Sequence, residues 1–164
     1  MGPVNRFLRG IICAGLAVGA ATGSLAADLK SPDAIKMGLR KLAAEYGDME
    51  RKLAAERYDR LPHESQEFQE ESGVLREAIA NEPADFKAKV ESTLESTLTA
   101  SARVSEVSAT HDKKQVESAL ESLAALLRSL NTLFPESLRV EPGTVAPGHR
   151  GGSQPAPAKP DAGG

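Results

Sequence analysis

An all-α chain is expected here: an up-down-up-down four-helix bundle, followed by a disordered C-terminal tail. Hydrophobic spacing carries that expectation first. Val116, Leu120, Leu123, Leu127, Leu130 and Phe134 recur in steps of four and three, which places all six on one helix face. Ile35, Leu39, Leu42, Tyr46, Met49 and Leu53 repeat the same rhythm near the start of the chain. Two helices with one unbroken spacing pack at a shallow angle, as helices in bundles do. The second observation is punctuation. Prolines and short polar turns divide the intervening residues into segments of helical length.

Before the first helix, residues 1–26 read as a secretory signal peptide. Arg6 and Arg9 form its positive start, residues 11–22 its apolar stretch, and Ser24-Leu25-Ala26 its cleavage site. The apolar run is short for a membrane-spanning helix, which needs roughly 20 residues. Cleavage removes the only cysteine, Cys13, and with it any disulfide or thiolate site. It also removes two of the 20 basic residues, leaving 18 against 23 acidic ones, a net charge of −5. That balance argues against nucleic acid or an anionic membrane as partner. The protein is therefore expected in the periplasm or otherwise secreted, with no membrane insertion once the leader is gone.

Residues 27–30 form a lead-in, and the bundle is expected over 31–134. Ser31-Pro32-Asp33 starts helix one: a capping hydroxyl, a proline suited to the first turn, and a carboxylate at the positive helix end. Gly38 and Gly47 weaken this helix by roughly 1 kcal/mol each relative to alanine and read as tolerated defects, with close approach of a neighbour as the alternative. Leu61-Pro62 ends or interrupts it. Helix two is expected over residues 63–80 on Phe68, Val74, Leu75 and Ile79, the weakest pattern of the four. Asn81 is the expected cap of helix three, residues 84–109, whose face is marked by Phe86, Val90, Leu94 and Leu98. Its Ser/Thr-rich stretch, residues 92–108, reads as a solvated face with hydroxyls bonded back to the backbone. Asp112 caps helix four, with Gln115 completing a capping box. Ala119, Leu126 and Leu133 widen the apolar face of that helix, which predicts a protein partner or self-association. Residues 135–164, with six prolines and six glycines, are expected to form the disordered tail.

Pro32-Asp33-Ala34-Ile35-Lys36, the turn Thr110-His111-Asp112, and Val116 with Ala119-Leu120 together resemble the cytochrome c-prime group and its non-covalent b-type relatives. The resemblance covers residues 31–139. It implies haem held through Cys-x-x-Cys-His near the end of helix four. The matching positions here are Leu127, Leu130 and Asn131, so both thioether sulfurs and the axial imidazole are replaced. The distal position of that family falls near Leu42, and Gly38 stands where an arginine is common. A b-type arrangement needs a methionine on helix one and a histidine late in helix four; Met37 and Met49 are present, but helix four carries no histidine. Haem iron needs a protein axial donor, so a haem-free core is expected, with no cofactor; non-covalent haem for electron transfer or gas binding is the alternative.

Other chemistry is sparse. No nucleophile elbow, metalloprotease or phosphate-loop pattern appears, and the chain reads as a binding or structural protein rather than an enzyme. The carboxylates read as solvated helix faces offset by Lys and Arg. His63 and His111 would share one tip of an up-down bundle, with Asp59, Glu64 and Asp112 near them in sequence. They are the candidate ligands for Zn²⁺ or Cu²⁺, against the plainer reading of two exposed loop histidines.

Overall fold

A computed structural model describes residues 29–143. Four helices account for most of them: α1 (Pro32–Ala54), α2 (Leu61–Ala78), α3 (Ala84–Ser108) and α4 (Lys113–Thr132). Single 3₁₀ turns lie at Tyr58–Arg60 and Glu136–Leu138, and no strand occurs among the described residues. Each helix packs on the next in the chain, and α1 also meets α4. The α1–α2 and α3–α4 seams are broad and the α1–α4 seam is narrow. The signal-peptide expectation and most of the expected tail lie outside the described residues.

The spaced apolar residues build one core. Ile35, Leu42 and Met49 of α1, Leu61, Phe68 and Leu75 of α2, Val90, Leu94 and Val104 of α3, and Val116, Leu123 and Leu130 of α4 are completely buried. Burying each such side chain contributes about 1.5–3 kcal/mol. Helix two read weakly because polar residues continue its buried stripe: Glu64, Ser65 and Ser72 lie inward beside Leu61, Phe68 and Leu75. The Ser65 hydroxyl meets Ser101 of α3 at 3.0 Å, which satisfies both groups inside the seam. Along α3, Thr93, Ser96, Thr97 and Thr99 each donate to the carbonyl four residues back. Thr97, Ser101 and Ser108 are nevertheless buried, so this stretch is not wholly a solvated face.

The helix ends differ from expectation in four ways. Ser31 makes no side-chain cap bond, and neither does Asn81, because Pro83 occupies the cap position of α3. The Asn81 carbonyl instead accepts from Lys30 Nζ at 2.7 Å. Helix α1 ends at Ala54, before Leu61-Pro62, in a Schellman arrangement. Glu56 takes φ 55°, Glu56 N–H donates to Leu53 O at 2.9 Å, and Arg57 N–H donates to Lys52 O at 2.8 Å. Pro62 then sits in the first turn of α2, where its missing N–H is harmless. Asp112 caps α4 as expected, accepting from the N–H of Lys114 at 3.0 Å and of Gln115 at 3.2 Å. The Gln115 side chain returns to the Asp112 carboxylate at 3.0 Å rather than to its N–H.

Gly38 is a point of close approach, not a tolerated defect. A Cβ there would lie 2.9 Å from both Cα and Cβ of Leu75, so the α1–α2 spacing requires a bare backbone. The chain after Phe134 also departs from expectation. Residues 135–143 return onto α1 and α4 instead of leaving as tail. Leu138 is buried, and Asn131 holds Val140 at two points, Nδ2 to O at 2.8 Å and N–H to Oδ1 at 3.1 Å. Lys36 Nζ donates to the Ser137 carbonyl at 2.9 Å.

Candidate functional site

Chemistry concentrates at the α1–α2 seam. Glu45 and Asp48, three residues apart, share one face of α1, and α2 brings Glu64 against them. One carboxylate oxygen from each lies within 4.8 Å of the others. Glu64 is 1% exposed, because it falls on the core stripe of α2 between Leu61 and Phe68. Its Oε1 is 3.5 Å from Lys52 Nζ, while its Oε2 accepts no hydrogen bond; Glu45 Oε2 is buried in the same condition. Such oxygens are costly to bury without a partner.

The surrounding charges are arranged in pairs. Asp48 pairs with Arg51, Glu71 with Lys41, and Glu67 lies 3.4 Å from His63 Nε2, an ion pair when that ring is protonated. Glu45 has no such cation. Burial, and then the neighbouring charges of Glu67, Asp48, Glu64 and Glu71, raise its pKa from 4.5 to about 7. At neutral pH it is partly protonated.

The histidines are placed apart from this group. His63 is exposed and faces Glu67 one turn along α2. His111, at φ 54°, stacks on Tyr58 with ring centroids 5.3 Å apart and planes 19° from parallel. Among the described residues, neither histidine belongs to the three-carboxylate group. His149 lies outside the described residues.

The positions matched to haem attachment hold packed or engaged side chains. Leu127 and Leu130 are buried in the core with Leu42, and Asn131 is committed to Val140. Met49 is buried in the core, whereas Met37 is exposed. The aliphatic chains of Leu127 and Leu130 offer no donor to iron, and the Asn131 amide is already bonded.

A different opening lies along the narrow α1–α4 seam, an open groove of about 400 Å³. Leu53 and Leu120 line it with Tyr46, and Glu50, Glu117, Glu121 and Lys113 add charge. The Tyr46 hydroxyl donates to Glu50 at 2.9 Å, and burial together with that carboxylate raises its pKa.

The carboxylate group is hidden in the sequence because acidic residues at helical spacing read as solvated faces. The available signal was Glu64, a charge at a core register of α2. Comparison with known proteins finds no family model, no curated protein and no solved structure that matches the chain.

Proposed function

We propose that this is an exported, periplasmic, non-enzymatic binding or structural protein: an up-down-up-down four-helix bundle that resembles cytochrome c-prime, with a core filled by side chains in place of haem. The observation that carries it is the burial of Leu127 and Leu130, 3% and 0% exposed, at the positions matched to thioether attachment. Asn131, matched to the axial histidine, serves instead to fasten residues 135–143. The up-down arrangement is supported by sequential helix packing, short connections and the α1–α4 contact that closes the ring. Export rests on the leader pattern of residues 1–26.

A protein partner, or a second copy, would meet a polar surface. The wide apolar face of α4 is covered largely within the chain, with Leu126 and Leu133 half-buried. Met37 is the large hydrophobic residue left exposed among the described residues. No helix there is long and apolar enough to cross a membrane.

The test is the absorption spectrum of the purified chain before and after incubation with haemin. No Soret band beyond that of free haemin is expected. A saturable Soret band that weakens when Met37 or Met49 is replaced would establish the non-covalent haem reading instead.

A further inference from the structure

We propose that Glu45, Asp48 and Glu64 form a binding site for a hard divalent cation, with calcium the best match. The inference goes beyond the haem-free reading and does not depend on it. Three observations converge. The three ligand oxygens lie within 4.8 Å of one another. Ca–O bonds of about 2.3–2.6 Å place oxygens on opposite sides of the ion about 4.6–5.2 Å apart, a span that covers the group. Mg²⁺ demands near-ideal octahedral geometry at about 2.0–2.1 Å, whereas Ca²⁺ accepts irregular sets of oxygens. All donors are carboxylates, which suit Ca²⁺, Mg²⁺ and Mn²⁺ and disfavour the softer metals expected for histidine sites.

The second observation is independent of the clustering. Glu64 is almost fully buried, belongs to the group, and has an Oε2 that accepts no hydrogen bond. A charge at that depth is stable only when paired and bonded. Lys52 stands 3.5 Å from the other oxygen, longer than the 2.7–2.9 Å or so of a strong charge-assisted bond. Third, Glu45 brings a second buried oxygen without a hydrogen-bond partner. A divalent ion supplies the missing partners of both oxygens together. Glu45 and Asp48 are half-buried rather than sealed, so the ion reaches the site from the open side of α1.

Titration calorimetry and thermal melts of the EDTA-treated full chain at pH 8, with calcium, magnesium or manganese chloride, test the proposal. Calcium is expected to bind one to one and raise Tm, more strongly than magnesium. Glu64→Gln and Glu45→Gln are each expected to weaken calcium binding at least about tenfold, as loss of a site carboxylate does, while Glu106→Gln, an exposed residue of α3, leaves it unchanged. If circular dichroism shows Glu64→Gln unfolded, Glu45→Gln decides the matter. No heat and no Tm shift with any of the three ions at millimolar concentration overturns the proposal. So does binding that neither substitution weakens. Since haem binding is read from an optical band, failure here leaves the haem-free reading standing, and the reverse holds.

Discussion

A single displaced proton distinguishes Glu45 from the other carboxylates of this surface. Its pKa of about 7 lies above the ordinary 4.5, so the folded state holds the proton more tightly than the unfolded chain. The stabilisation from that proton is complete below about pH 4.5 and is lost as pH rises through 7. Glutamine keeps the shape and cannot ionise. Urea unfolding at pH 5 and pH 8, without divalent ions, is therefore expected to show Glu45→Gln gaining stability relative to the parent as pH rises. An equal difference at both pH values would contradict the assigned environment. Asn131 makes a related point about position. The sequence alone suggests a missing imidazole at this position; the amide bonds Val140 at two points. Which long-range partner a side chain finds cannot be read from local spacing.

At the scale of the helix, periodicity was a dependable guide where apolar residues alone fill the stripe. The α1 and α4 stripes are buried as their spacing requires, from Ile35 to Leu53 and from Val116 to Leu130. The pattern blurred in α2, where Glu64, Ser65 and Ser72 occupy core positions: Ser65 bonds Ser101 of α3 and Ser72 its own backbone, while Glu64 keeps one oxygen without a hydrogen bond. Caps were legible only when both partners were local. Asp112 and Gln115 form theirs, whereas Ser31 makes no side-chain cap bond, and in place of Asn81 the α3 cap position falls to Pro83. Glycine meaning also depends on the neighbour. Gly38→Ala is expected to destabilise by about 1–3 kcal/mol through overpacking against Leu75. Gly73, on α2, has nothing within 4 Å of a built Cβ, so Gly73→Ala is expected to stabilise by about 0.5–1 kcal/mol. Denaturant midpoints of the two variants should move in opposite directions; movement of both in one direction would contradict the α1–α2 spacing.

For the molecule as a whole, helical class and one shared core followed from spacing, because burying two matched apolar stripes leaves few alternatives. The course of residues 135–143 did not follow. Proline and glycine content suggested that everything after Phe134 leaves the fold, yet Leu138 is buried, Val140 bonds Asn131, and Phe134 itself meets Phe86 edge to face at 5.6 Å. The carboxylate group at the α1–α2 seam was likewise hidden, since it joins residues from two helices whose lateral register no local rule fixes. What unites these features is a core closed by its own side chains. Denaturant unfolding of Leu130→Ala tests that most directly. Leu130 is fully buried at a position matched to haem attachment, so its truncation is expected to cost about 2–5 kcal/mol. A cost below about 0.5 kcal/mol, the range typical of surface positions, would mean that Leu130 borders open space, and would contradict the filled core.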